Sequence, residues 1–243
     1  MRLNNSYQLS INGQTIPYEE RRSARYQRIT LSVLEDRVRI SVPKKVSSKQ
    51  LKELLTAKRE WILEQWLFQQ DSQKRSVNYI DGEHFLYQGN TIELKIIRHP
   101  GQRKKVFLEG HVLEVYLPWD LPDEECAQNI KAALIVWYKS QARRVIEDKL
   151  NKQAKQMQVT FQAFRLKDQK TSWGSCSSKR NLNFNWRIIM APDAACDYVI
   201  IHELAHLTHL NHSKQFWQRV EAFMPEYAHW KKWFKDHGQE LRF

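Results

Sequence analysis

Glycine and proline are scarce, at seven each, which excludes long flexible linkers. No internal repeat or low-complexity segment stands out on inspection of the sequence. Cysteine is scarcer still. Cys126, Cys176 and Cys196 are odd in number, widely spaced and form no C-x-x-C pair, so neither a disulfide framework nor a Cys-rich zinc site is suggested. Long apolar runs are also missing. Stretches such as Ala132 to Tyr138 fall well short of the roughly 20 residues that span a bilayer. The opening MRLNNSYQLSING has no apolar core of the signal-peptide kind. Together these absences point to a reducing, cytoplasmic setting and to no membrane partner.

Acidic residues are in deficit: 27 Asp and Glu face 39 Lys and Arg, a net charge of +12. Residues 1–75 alone hold 15 basic and 8 acidic side chains, a net of +7. Such a balance suits acidic partners, with nonspecific nucleic acid foremost, and it also suits a solvated basic surface that carries no function. Hydrophobic residues at 42% and aromatics at 12% are enough for a folded core.

The periodicities divide the chain. Ile29, Leu31 and Val33, then Val38, Ile40 and Val42, follow the period of two expected of strands, with a turn at Glu35-Asp36 between them. Ser47 or Ser48 is placed to cap a helix running to about Gln70. A second β region follows, carrying Phe85, Ile92, Leu94, Val106 and Val115, with Gly82, Gly89 and Gly110 at its turns. Asp123 then caps a long amphipathic helix to about Met157. The expectation is an α+β protein: a β-rich module with one helix over residues 1–120 and a catalytic module over residues 121–243. The expected boundary lies near Pro118 to Pro122.

The chemistry concentrates in DAACDYVIIHELAHLTHL, where His202-Glu203-Leu204-Ala205-His206 matches H-E-x-x-H. Residues four apart lie on one helix face, so both imidazoles reach one metal ion, and Glu203 lies beside them to act as general base on a water. A buried His-Glu-His face without a metal or partners would be costly. Asp193 is the expected N-cap. His209 and His212 both offer a third ligand. His209 would continue the same helical row, where three imidazoles cannot surround an ion. His212 is favoured because Asn211 can end the helix and Ser213 can cap the next, leaving His212 at a turn. Three histidines leave a fourth position for water, as a catalytic zinc site requires. Upstream, Asn181, Asn183 and Asn185 alternate with Leu182, Phe184 and Trp186. That pattern is a half-buried strand, either covering the helix or serving as an edge that aligns an extended peptide. Cys176, Trp217, Trp230 and Trp233 read as structural. Arg187, Tyr198 and His209 are candidates for stabilising an oxyanion.

Four segments together, RRSARYQRITLSV, KTSWGSCSSKRNLNFNWR, DYVIIHELAHL and NHSKQFW, resemble the YgjP-like family of metal-dependent hydrolases, which is similar to SprT-like and Wss-type zinc peptidases. The resemblance spans nearly the whole chain. It implies a zincin-like helical catalytic domain with a small antiparallel sheet, zinc held by His202, His206 and His212, and Glu203 as base. It also implies a protein or peptide substrate, and the Wss-type relatives act on proteins bound to DNA. Two other readings accompany this one. They are a basic DNA-associated module with a structural metal, which requires a fourth protein ligand, and a zinc hydrolase of non-peptide substrates.

Overall fold

The structure, a computed structural model, describes residues 6–34, 36–74, 77–101, 105–169 and 172–241. Two compact units result, Met1–Ser76 and Val77–Phe243.

In the first unit, strands β1 (Ser6–Ile11), β2 (Gln14–Ser23), β3 (Thr30–Val33) and β4 (Val38–Pro43) form a sheet in the order β1-β2-β4-β3. The strands β3 and β4 are the two expected from alternation; Glu35 of the turn between them lies outside the described residues. β2 and β4 are parallel and the other pairs antiparallel. Asn12 and Gly13 join β1 to β2 with φ of 47° and 80°, the doubly positive turn that suits the twist of a tight hairpin. Helices α1 (Ser48–Ala57) and α2 (Arg59–Lys74) follow. Ser47 caps α1 in a reciprocal box with Gln50. The single helix expected here is broken at Lys58. The Thr56 hydroxyl donates to the Lys52 carbonyl at 3.0 Å, a back-bond that bends helices. Ile11, Ile16, Val38, Ile40 and Val42 of the sheet close a core with Leu51, Leu55, Ile62 and Trp66 of the helices. On the opposite sheet face, Arg21 pairs with buried Glu19, while on the core side, at the end of β2, Arg22 bonds Glu20 and the Val46 carbonyl.

The second unit opens with the same plan. Strands β5 (His84–Tyr87), β6 (Asn90–His99), β7 (Lys105–Glu109) and β8 (Val112–Pro118) take the order β5-β6-β8-β7, again with only the middle pair parallel. Registers correspond: Tyr18 lies opposite Val38 and Leu94 opposite Leu113; Ile11 lies opposite Gln14 and Tyr87 opposite Asn90. The chain thus repeats a four-stranded module that inspection of the sequence did not reveal. The residues at the tight turn, Asn12-Gly13-Gln14-Thr15-Ile16 and Gln88-Gly89-Asn90-Thr91-Ile92, are its clearest trace.

This repeat moves the division of the chain from the expected Pro118–Pro122 to between Ser76 and Val77. The physical reason is the core. Phe85, Ile92, Leu94, Leu113, Val115 and Leu117 share one buried cluster with the long helix α3 (Asp123–Gln156) and everything after it. Pro122, not Asp123, is the residue before α3; Asp123, Glu124 and Glu125 occupy its first turn, where the helix dipole favours acids. A third sheet, β9 (Ala163–Lys167), β10 (Gly174–Cys176) and β11 (Asn181–Asn185), runs in the order β10-β11-β9. It is mixed rather than antiparallel, since β11 and β9 are parallel. After a 3-10 turn (Trp186–Met190) come α4 (Asp193–Ala205), α5 (Lys214–Phe223) and α6 (Tyr227–His237). Among the described residues no helix is long and apolar enough to cross a membrane.

Candidate metal centre

Helix α4 owes its position to burial. Ala195, Cys196, Val199, Ile200, Ile201, Leu204 and Ala205 are all nearly inaccessible. Its start is tied to α3. Pro192 precedes the helix, and Asp193, expected to cap it, instead accepts a bond from Lys149 at 2.7 Å, with Asp197 on the same ammonium at 3.0 Å. Burial pulls the Lys149 pKa down, and the bonds and charges of Asp193 and Asp197 more than offset it, leaving a net rise.

The helix ends earlier than the sequence suggests. Leu207 and Thr208 bond back three residues, to Leu204 and Ala205, and the Thr208 hydroxyl also takes the Ala205 carbonyl. The turn therefore begins at His206, and Asn211 does not adopt the left-handed conformation expected of it. Ser213 caps α5 as expected, accepting from the Phe216 amide. His212 sits in the connection and folds back.

The ring centroids of His202, His206 and His212 form a nearly equilateral triangle with sides of 5.0, 5.0 and 4.8 Å. Each ring contributes a nitrogen to a group whose atoms lie within 4.8 Å of one another, and among the described residues no fourth side chain joins it. The Nε2 atoms of His202 and His212 face each other at 3.0 Å. His206 Nδ1 lies 3.0 Å from the His209 carbonyl. A carbonyl only accepts, so Nδ1 carries the proton and Nε2 is left as the basic nitrogen. His209 thus meets the group through its backbone carbonyl, and its ring is not among the three that converge. Phe216, fully buried, lies 4.5–4.9 Å by centroid from all three rings, and Trp217 stacks on His212 at 5.6 Å. Burial, then neighbouring positive charge, lowers the His202 pKa to about 3 and keeps the imidazole neutral.

Glu203 is 5% exposed. Its Oε2 and the Nδ1 of His202 are buried without a hydrogen-bond partner. Burial alone raises the Glu203 pKa to about 8. The carboxyl rests against Gly174, the one glycine between Gly110 and Gly238: a Cβ there would meet Glu203 Oε1 at 2.6 Å and Cγ at 2.7 Å. Imidazoles with converging nitrogens, beside a buried carboxylate lacking a countercharge, fit a divalent cation.

A cavity of about 620 Å³ opens over these groups. The strand β10 forms one wall. Asn181–Asn185, read from the sequence as either a cover for the helix or an edge, is the central strand of its sheet, and β10 is the edge beside the cavity. The bonds from Asn185 N to Trp173 O and from Ser177 N to Asn181 O turn Trp173 and Ser177 toward β11. By the alternation of an antiparallel ladder, Gly174 and Cys176 turn their backbone groups away from it; the Gly174 carbonyl accepts the Ser172 hydroxyl instead. Tyr198 lines the cavity. Arg187 does not: it pairs with Asp168 and stacks on Trp186. Cys176 is half-buried in the cavity wall, with its thiol pKa raised by burial and then by Glu203. Sequence reasoning missed Gly174, Phe216 and the lysines of α6 that also line the cavity. The isolation of Gly174 among 127 residues without another glycine was the available signal.

Comparison with known proteins supplies the class: the chain is a member of a metallopeptidase family. That family is the YgjP-like one, whose metallopeptidase domain matches residues 27–237. A further similarity is to the crystal structure of the metallopeptidase zymogen of Pyrococcus abyssi abylysin, at 23% identity over 37% of this chain and 93% of that one, with a TM-score of 0.35. No curated protein matches.

Proposed function

We propose that the chain is a zinc endopeptidase with a zincin-like catalytic arrangement, in which His202, His206 and His212 hold the metal and Glu203 is the general base. The observation that carries this reading is the convergence of three imidazole nitrogens beside a buried carboxylate at the floor of a cavity edged by an open strand. Zinc in such a site supplies a Lewis acid for the scissile carbonyl and the attacking water. The chain's own groups do the rest. Gly174 and Cys176 offer backbone donors and acceptors to an extended peptide, which would join the sheet as a further strand. Gly174 leaves room for the Glu203 carboxyl, so that Glu203 takes the water proton and returns it to the departing amine. Tyr198, the one of the three oxyanion candidates whose side chain lines the cavity, donates to the developing oxyanion. His209, through its carbonyl, keeps His206 in the tautomer and orientation a ligand needs. The family-level class favours peptide over non-peptide substrates. The three-histidine group, with no fourth ligand among the described residues, favours catalysis over a structural metal.

Metal analysis beside a peptidase assay tests this. The wild-type chain is expected to carry about one zinc. His202→Ala and His206→Ala should lose most of it. Glu203→Gln should keep zinc and lose activity by about 10²-fold or more. Full activity in Glu203→Gln would refute the assignment of the base.

A further inference from the structure

Part of the cavity wall is formed by α6, which presents Lys231, Phe234 and Lys235 to it. Lys231 and Lys235 are one turn apart on a single face, an arrangement in which like charges repel. Neither has a carboxylate within ion-pair distance among the described residues. The neighbouring face shows the alternative: Lys232 pairs with Asp236 across the same four-residue step. Helix α6 therefore neutralises the lysine that faces away from the cavity and leaves two cations unpaired where they face it. Among the described residues Glu203 is the only acidic one of the lining, and it sits on the floor. Lys231 is held in place rather than free to swing. Its Nζ lies 4.2 Å from the Trp217 ring centroid, and Trp217 stacks on both His212 and Tyr227. A cation fixed over the ring that backs a candidate ligand, with a second cation one turn away, creates a positive field at the cavity mouth.

Resting on the peptidase reading above, we propose that Lys231 and Lys235 are specificity-determining residues that select peptides with an acidic side chain next to the scissile bond. The field of two unpaired ammonium groups attracts a carboxylate and repels a lysine or arginine at the same position, so discrimination comes from both signs of the interaction.

The test uses the zinc-loaded full chain. Peptides of one scaffold, carrying Glu, Gln or Lys at the positions flanking the cleaved bond, are compared in two measurements. One is binding to the Glu203→Gln variant by calorimetry, and the other is kcat/KM with the wild-type base. In both, the Glu peptide should exceed the Gln peptide by roughly five- to tenfold at low salt, with the Lys peptide weakest. The order should flatten as salt rises. Lys231→Gln combined with Lys235→Gln should reduce the Glu preference to less than about twofold, and Lys235→Glu should invert it. Lys232→Gln, on the other face, should leave it unchanged. Zinc content equal to wild type in these surface variants shows that the site is intact. Equal binding of Glu, Gln and Lys peptides to the parent protein would overturn the proposal. Retained acidic preference in binding, with no peptide cleaved, would overturn the peptidase reading and leave the anion selection standing.

Discussion

The hairpin turn at Asn12-Gly13 and the one at Gln88-Gly89 share a backbone conformation and differ in everything around them. Both pairs have positive φ, 47° and 80° in the first and 50° and 77° in the second. A Cβ on Gly13 would meet nothing within 4 Å. A Cβ on Gly89 would lie 2.9 Å from Pro192 Cα and 3.3 Å from its Cβ and Cγ. Gln88 and Gly89 also donate their amides to the carbonyls of Ile189 and Met190, at 2.7 and 3.1 Å. The second turn therefore grips the segment that leads into α4 and its histidines. The helices that follow diverge in the same way. In the first unit they bend at Lys58 and close a small core; in the second, a 34-residue helix extends the core under the site. The contrast teaches that one four-stranded plan serves as a self-contained unit in one place and as the base of a candidate active centre in the other.

The largest effects should come from truncating matched core positions. Ile16 and Ile92 occupy equivalent places after the two turns, at 0% and 2% exposure. Ile→Ala at either should cost about 2–5 kcal/mol, the transfer term plus the cavity. Their consequences should separate. Ile16→Ala is expected to speed amide exchange across the first unit and spare metal content, while Ile92→Ala should loosen the second unit. Hydrogen exchange read by mass spectrometry checks this, and loss of protection throughout the chain in both variants would break the division into two cores.

Next in size is the contrast between the turns themselves. Gly13→Ala meets only the left-handed strain of about 1–2 kcal/mol. Gly89→Ala adds a collision with the backbone of Pro192, for a total of about 3 kcal/mol. Chemical denaturation of the two variants gives the difference directly. Equal losses would mean that Pro192 yields without cost and that the turn does not grip the segment leading into α4.

What the sequence makes legible follows from range. Local signals held: alternation located β3 and β4, and Ser47 and Ser213 cap their helices. The four-residue step from His202 to His206 and the turn carrying His212 bring three rings together. What escaped depends on contacts distant in sequence. Both β regions show the same alternation, and nothing local says that the second sheet packs under α3, so the boundary was misplaced at Pro118–Pro122. The strand β10 has three residues, one of them glycine, too few for a periodic pattern, and so the edge reading was offered only for the strand beside it. Asp193 looks like a cap in isolation, and only Lys149, on another helix, draws it away. Some misses are local, as at the break near Lys58 and at the end of α4. The Thr208 hydroxyl takes the Ala205 carbonyl and helps close the helix before the chain reaches Asn211, where a stop signal was read.

The smallest expected difference, and the one that pH resolves, lies on the outer faces of the two sheets. Glu19 faces Arg39 across β2 and β4, while Lys95 faces Glu114 across β6 and β8, the same register with the signs exchanged. The environments are unequal. Glu19 is 3% exposed and has Arg21, Arg37 and Arg39 around it. Glu114 has the 57% exposed Lys95 at 3.4 Å and the Tyr116 hydroxyl at 2.8 Å. Glu114→Gln should therefore change stability at neutral pH by about 0–1 kcal/mol, the usual worth of a solvated pair. Glu19→Gln should cost more, since it leaves three guanidinium groups gathered around a neutral amide. The hydrogen bond from Arg21, partly opposed by burial and aided by the charges of Arg21 and Arg39, holds the Glu19 pKa below its ordinary 4.5. The sign then follows. A carboxylate whose pKa is depressed in the folded state contributes stability that is present above the unfolded value and lost as pH falls through the folded one. The gap in melting temperature between wild type and Glu19→Gln should be widest near neutral pH and close as the pH drops below about 4. Thermal melts at matched ionic strength across that window check it. A gap that stays constant with pH would show that the Gln variant is destabilised by packing, and that the arginine cluster on the first sheet gains nothing from the charge of Glu19.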